Sequence, residues 1–142
     1  VTNGAEWYKS IGTPGSPGTK AFAITGDIEN TGLIEVPMGT TLREVIYDVG
    51  GGIRGGGKFK AVQIGGPLGA WVAPADFDLL LDYEAFVARG ALVGHGGVVA
   101  VDDRADLADL AYRLWWWNDA RDRTRREMAL DYYATQADAQ SE

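Results

Sequence analysis

The feature that most constrains the fold is a series of short apolar runs, each ended by glycine-rich sequence, between residues 20 and 101. Phe22 and Ile24 alternate with smaller or polar residues, a polar segment follows at residues 26–32, and a second run occupies residues 33–36. Alternating runs of this length joined by a polar turn are typical of a β-hairpin. The sequence therefore predicts two antiparallel strands at the start of the folded part.

A short amphipathic helix is predicted after this hairpin. Thr40 or Thr41 can cap it, because a side-chain hydroxyl accepts from a free amide of the first turn. Four apolar residues then share one face at helical spacing: Leu42, Val45, Ile46 and Val49. The glycines of residues 50–57 end the helix.

Two further strands complete the pattern, at residues 59–64 and 97–101. Between them we predict a glycine-rich crossing segment at residues 65–71 and a helix at residues 78–90. The helix is indicated by Leu81, Phe86 and Val87. The order β-β-α-β-helix-β favours an α+β fold of the ubiquitin-like β-grasp type, in which one sheet wraps a single helix.

Two segments lie outside this pattern. Residues 1–19 contain glycine and proline too often for regular structure beyond a turn at residues 5–10, so we expect an N-terminal arm. From residue 104 an apolar stripe indicates a helical tail, which is either a helical hairpin with a stop at residues 118–119 or one helix bent there: Leu107, Leu110, Ala111, Leu114 and Trp117. The expected organisation is an arm (1–19), a β-grasp domain (20–103) and a helical appendage (104–142).

Composition excludes several classes of function. A formal net charge of −7 disfavours nucleic acid, whose phosphates are bound by Lys and Arg. The absence of cysteine excludes disulfides, thiolate nucleophiles and the cysteine frameworks of iron–sulfur clusters, and the single histidine, His95, excludes histidine-rich zinc sites. No apolar run approaches the roughly 20 residues of a membrane span, and residues 1–6 lack a signal-peptide pattern, so we expect a cytoplasmic protein without membrane insertion.

Residues 50–55 satisfy the pattern G-x-G-x-x-G of dinucleotide-binding loops. Such a loop must follow a strand and open a helix, so that the helix N-terminus meets the pyrophosphate. Here the order is reversed, and a flexible helix-to-strand turn is the favoured interpretation. Arg54 within this turn is a candidate interface residue that could contact a partner carboxylate, against the commoner alternative of a solvated arginine.

Two other groups could suggest chemistry. His95 lies between glycines and could titrate near neutral pH, but with no second histidine and no nearby acid a structural turn is favoured. An acidic cluster could suggest calcium or paired carboxylates: Asp76, Asp78, Asp82 and Glu84. Its spacing differs from an EF-hand loop, and a helix cap at residues 74–76 with a solvated first turn is the favoured interpretation. We therefore predict no catalytic, cofactor-binding or metal-binding residue.

Three adjacent tryptophans, Trp115, Trp116 and Trp117, are the most unusual local feature of the tail. Adjacent residues on a helix point about 100° apart, so three indoles cannot enter one buried stripe. Either the helix is buried on two sides, or the tryptophans form an interface with a partner or a second copy of the chain.

Five motifs occur together in the order in which they occur in one family of proteins. They are NGAEWY at residues 3–8, SPGTK at 16–20, EVPMGTTLRE at 35–44, DVGGGIRGG at 48–56 and GHGGV at 94–98. In this order they resemble the soluble-ligand-binding β-grasp (SLBB) module of the NADH-binding flavoprotein subunit of respiratory complex I. They are equally similar to its relatives in NAD-dependent formate dehydrogenases and NAD-reducing hydrogenases.

The resemblance implies a module between a domain that binds FMN and NADH and a helical domain that holds a 4Fe–4S cluster. No segment of this chain resembles the family's flavin and nucleotide loops. The family's cysteine segment would fall near residues 118–123, which read Asn-Asp-Ala-Arg-Asp-Arg. We therefore expect neither FMN nor a 4Fe–4S cluster to be bound by these residues.

Three functions follow as hypotheses. The first is a non-catalytic scaffold and interaction module that positions flavin and iron–sulfur domains in an electron-transfer complex. The second is a fragment or companion subunit of an active NADH:acceptor oxidoreductase, with other subunits of that complex as partners. The third, binding of a small ligand, is suggested by the family's name, and no convergent polar group in the sequence indicates a particular ligand.

Overall fold

Five strands form one mixed sheet in the computed structural model, which describes residues 2–66, 69–110 and 112–113. The strands are β1 (Thr19–Gly26), β2 (Gly32–Pro37), β3 (Phe59–Ile64), β4 (Ala70–Val72) and β5 (Gly97–Asp102). Their order across the sheet is β2-β1-β5-β3-β4. The β1–β5 pair is parallel and the other pairs are antiparallel, so the first and last of these five strands lie side by side within the sheet. The predicted α+β class is confirmed.

The core lies between one face of this sheet and the segments that connect its strands. Phe22 and Ile24 are buried while the residues between and beside them are exposed, as the predicted alternation requires. Val98 pairs with Ile24 across the central strands, and all three belong to one cluster of buried side chains. Burial of this apolar surface is the main source of the domain's stability.

A helical segment crosses this cluster immediately after the hairpin. Thr41 Oγ1 accepts from the Glu44 amide at 3.1 Å, and Glu44 Oε2 accepts from the Thr41 amide at 2.7 Å, which is a capping box. The hydrogen bond from the Thr41 amide to the Glu44 carboxylate is the main cause that lowers the pKa of Glu44, and the hydrogen bond from the Thr41 hydroxyl is the second. Thr41, one of the two predicted caps, therefore begins the helix.

The prediction was wrong for one residue of the apolar face of this helical segment. Leu42, Val45 and Ile46 are fully buried, but Val49 is 39% exposed. The reason is that Glu44–Val49 is π-helical, and its wider turn rotates the last residue away from the line expected for an α-helix.

Two other predictions between β3 and β5 need correction. The sequence predicts a crossing segment at residues 65–71, yet Ala70–Val72 forms the edge strand β4, paired antiparallel with β3. The helix expected at residues 78–90 is limited to Tyr83–Ala88, because the Asp82 carboxylate caps it by accepting from the Ala85 amide at 2.6 Å. Val87 on this short helix is 64% exposed.

The N-terminal arm contains a six-residue helix, Gly4–Lys9, and is fixed to the domain by polar contacts. Buried Ser16 donates to Glu84 Oε2 at 2.7 Å and accepts from the Tyr83 amide at 3.1 Å. Tyr8 Oη accepts from the Thr19 amide at 3.1 Å. These bonds connect the arm with the start of the Tyr83–Ala88 helix and with β1.

The chain divides into two compact units, residues 1–105 and residues 106–142. In the second, residues 107–110 are helical and Asp106 Oδ1 caps them by accepting from the amides of Ala108 and Asp109 at 2.9 and 3.1 Å. Most of the predicted tail lies outside the described residues. No helix in the described part of the chain is long and apolar enough to cross a bilayer.

Candidate functional site

An open depression of about 410 Å³ in the first unit brings together three aromatic and two cationic side chains. We call it the aromatic depression and define it by its lining residues. They come from the π-helix and the residue before it, from the segment that leads into β3, and from the turn after β4: Arg43, Tyr47, Gly57, Lys58, Phe59, Pro74 and Phe77. Only the fold brings these residues together, since more than 30 positions separate the first from the last.

Three aromatic rings form its apolar part. Phe59 and Phe77 are stacked, with ring centroids 4.1 Å apart and planes inclined by 14°. Tyr47 meets Phe77 edge-to-face at 5.6 Å, and its other side lies against Gly52, where an added Cβ would be 3.2 Å from Tyr47 Cδ1. Each of the three rings therefore contacts at least one other ring of the depression.

Two cations flank these rings. The Arg43 guanidinium lies 5.0 Å from the Phe77 ring centroid, within the range of a cation–π contact. Its Nε and Nη2 donate to the Asp78 carboxylate at 2.6 and 3.1 Å, and this pairing raises the pKa of Arg43 and lowers the pKa of Asp78. Lys58 forms no ion pair with any other residue that the structure describes.

Arg54, the predicted interface residue, lies outside the aromatic depression. Its Nη2 donates to the Ile28 carbonyl at 2.9 Å, and its amide donates to the Asp27 carbonyl at 2.8 Å. The turn that carries it follows the π-helix and precedes β3, the order that disfavours a phosphate-binding loop. The side chain thus attaches the glycine-rich turn to the segment after β1.

The acidic residues singled out in the sequence each have a protein partner. Asp76 pairs with Arg89, Asp78 with Arg43, and Asp82 caps the Tyr83–Ala88 helix, so the cap predicted at residues 74–76 is found at Asp82 instead. Within residues 2–66, 69–110 and 112–113, no three His, Asp or Glu side chains are placed to hold a metal ion.

His95 is exposed in the loop before β5. Its ring lies against two glycines: a Cβ on Gly97 would come within 2.7 Å of Cε1, and a Cβ on Gly66 would overlap Nε2. Gly94 and Gly96 have φ of +53° and +88°, and a Cβ on them would lie 2.6 Å from the Gly65 carbonyl oxygen and 2.7 Å from the Ala21 carbonyl oxygen, so the backbone requires glycine on both sides of His95.

Asp102, at the end of β5, is a polar site that the sequence patterns did not single out. Its carboxylate is buried and accepts from Arg104 Nε at 2.8 Å and from the Arg104 amide at 2.9 Å. The Arg104 side chain, opposed by burial, lowers the pKa of Asp102. Lys60 Nζ donates to the Ala105 carbonyl at 2.6 Å, so both contacts fix the end of the first unit. The sequence contained one signal for this site, which is an Asp at the end of an apolar strand followed two residues later by Arg104.

Trp115, Trp116 and Trp117 lie outside the described residues. Their predicted role as an interface remains a prediction.

Comparison with known proteins finds a family match within the first unit. Residues 21–69 match the SLBB domain family, and this range includes most of β1 and all of β2, the π-helix and β3. This match covers 49 of the chain's 142 residues. The family resemblance seen in the sequence is confirmed.

The relatives of this chain are subunits of redox complexes. NADP-reducing hydrogenase subunit HndC of Solidesulfovibrio fructosivorans is 53% identical over 111 residues, which are 78% of this chain and 23% of that subunit. An NADH-quinone oxidoreductase subunit of Escherichia coli (strain K12) is 38% identical over 114 residues, which are 80% of this chain and 26% of that subunit. The chain spans about a quarter of the length of these curated relatives.

A solved structure supports the same assignment. An NAD+-reducing NiFe-hydrogenase in the air-oxidised state has a matching region with 34% identity and a TM-score of 0.61. The match covers 74% of this chain and 17% of the hydrogenase chain. The sequence is thus similar to the SLBB region of NADH-oxidising subunits in redox complexes.

Proposed function

We propose that this SLBB chain is a non-catalytic scaffold and interaction module that positions flavin and iron–sulfur domains within an NADH-oxidising complex. The observation that carries the proposal is the shared segment itself. It recurs in a subunit of an NADP-reducing hydrogenase and in a subunit of an NADH-quinone oxidoreductase. Because the two complexes are named for different reactions, a common segment is best explained by a common structural role.

The fold supports this role. The sheet order β2-β1-β5-β3-β4 with a parallel central pair is the arrangement expected of a ubiquitin-like β-grasp, with the π-helix packed into its core. The arm is held through Ser16 and the end of the unit through Asp102, so both ends of the module are fixed to one core. A module with fixed ends can hold neighbouring domains at a constant spacing, and its partners would be other domains or subunits of the complex.

A second candidate is a fragment or companion subunit of an active NADH:acceptor oxidoreductase. It is favoured by the extent of the similarity to the hydrogenase subunit, which covers 111 residues and so exceeds the 49 residues of the SLBB match. In this case FMN and a 4Fe–4S cluster would be held by residues of other chains or segments. The two candidates assign the same non-catalytic role to the described residues and differ in what surrounds them.

The test is turnover by the purified chain. We expect no oxidation of NADH with ferricyanide as acceptor, before or after incubation with FMN, because hydride transfer needs a flavin held against the nicotinamide. The intact Escherichia coli relative from NADH-quinone oxidoreductase serves as the comparison. Turnover above the rate with free FMN, or a flavin band that stays with the chain through gel filtration, would contradict the scaffold proposal.

A further inference from the structure

We propose that the aromatic depression binds an acidic segment of a partner polypeptide. A carboxylate of that segment pairs with Lys58 and Arg43, and a neighbouring apolar side chain rests on Tyr47 and Phe59. The proposal goes beyond the scaffold role, which names no surface, and depends on it only in that the occupant is a polypeptide.

The positive charge of the depression favours an anionic occupant. The chain carries a net charge of −7, yet this depression is lined by two cations and no acidic side chain. Asp78 neutralises part of Arg43 through Nε and Nη2, which leaves Nη1 outside the pair. Lys58 is exposed and forms no ion pair within the part of the chain that the structure describes. A carboxylate would pair with both the Arg43 guanidinium and the Lys58 ammonium, whereas a cationic segment would be repelled by them.

The open surface formed by the rings favours a polypeptide over a small molecule as the occupant. Tyr47 is 43% exposed and the Arg43 side chain 51% exposed, so the depression is open on one side. A small molecule lying here would leave much of its own surface in water, whereas ligand pockets enclose most of the ligand. A polypeptide can cover the rings and the surrounding rim together. Rigid tyrosine and arginine side chains are also the residues that contribute most at protein interfaces.

The test uses a synthetic peptide, acetyl-Gly-Asp-Glu-Phe-Glu-Asp-Gly-amide, titrated into the ¹⁵N-labelled full chain at about 0.15 M salt, where repulsion beyond roughly 8 Å is screened. The matched peptide has Asn and Gln in place of the acids. We expect saturable shifts at amides of the aromatic depression with the acidic peptide only. Lys58→Glu is expected to weaken binding by about tenfold or more.

The control is Lys20→Glu, which changes the net charge equally at the start of β1, the end of the sheet opposite to Phe59. It is expected to leave binding within about twofold, since its charge is remote. Tyr47→Leu, with an unchanged spectrum elsewhere, is expected to weaken binding without a change of charge. No localised shifts at millimolar peptide, equal weakening by both lysine variants, or equal binding of the neutral peptide would overturn the proposal.

The alternative occupant of the depression is a second copy of the chain. Measurement of the molar mass by light scattering distinguishes this self-association from binding of a partner segment. Dimerisation abolished by Lys58→Glu would overturn the acidic-segment proposal. A monomer that binds the peptide supports it. The NADH turnover assay is independent of this titration, so failure of one proposal is distinguishable from failure of the other.

Discussion

Gly26→Ala is expected to destabilise the domain by on the order of 3 kcal/mol, a large effect for the addition of one methyl group. Gly26 is the last residue of β1 and pairs with Ala100 of β5 at the centre of the sheet. Its φ is +100°, and a Cβ there would overlap the Ala100 carbonyl oxygen and lie 2.9 Å from the Ala100 nitrogen. That carbonyl also accepts from the Asp27 amide, so the central strands must separate or lose a hydrogen bond.

Urea unfolding measures this loss, and Gly90→Ala is the matched control. Gly90 also has a positive φ, +67°, but nothing lies within 4 Å of an added Cβ. The control therefore contains the backbone strain without the steric overlap, and about 1 kcal/mol is expected for it. Equal free energies of unfolding for the two variants would show that the close approach of β1 and β5 is not what requires glycine.

Asp102→Asn is expected to destabilise the domain at neutral pH and to reduce its sensitivity to acid. The variant keeps the size of the side chain but removes the charge that accepts from Arg104. The pKa of Asp102 is lowered in the folded state, first by the Arg104 hydrogen bond. The wild-type carboxylate therefore contributes stability that is fully present above its unfolded pKa of about 3.9 and is lost as pH falls through the lower folded value.

The measurement is the free energy of unfolding of both proteins between pH 7 and pH 3. The difference between them is expected to be constant down to about pH 5 and to shrink below about pH 4. Glu6→Gln, which removes the exposed pair with Lys9, is the control and is expected to change little. A difference that stays constant to the lowest pH would mean that the Asp102 charge does not stabilise the fold.

Local patterns in the sequence predicted the elements that depend on neighbouring residues. β3 was predicted with its observed bounds, and the hairpin of β1 and β2 within one residue at each end of the observed strands. Thr40 and Thr41 were both predicted as possible caps, and the structure shows that Thr41 begins the helix. These features follow from hydrophobic period and capping chemistry.

Features set by distant contacts were not predictable in this way. β4 has only three residues, too few for an alternation, and exists because β3 offers it an edge. Val49 was misplaced because a π-turn has no local sequence signature. The aromatic depression joins residues of three separate segments, so neither its rings nor its two cations could be recognised as one surface before the fold was known.

Replacement of the SLBB segment in a working relative tests the scaffold role most directly. NADP-reducing hydrogenase subunit HndC would carry this chain's residues in place of its 53% identical segment, and a matched version would carry a flexible spacer of equal length. Hydrogen-dependent reduction of NADP is measured in the assembled complex. The scaffold role predicts a rate within a few-fold of the parent for the chimera and loss of activity for the spacer. Equal rates with the spacer, or an assembled chimera that does not reduce NADP, would contradict it.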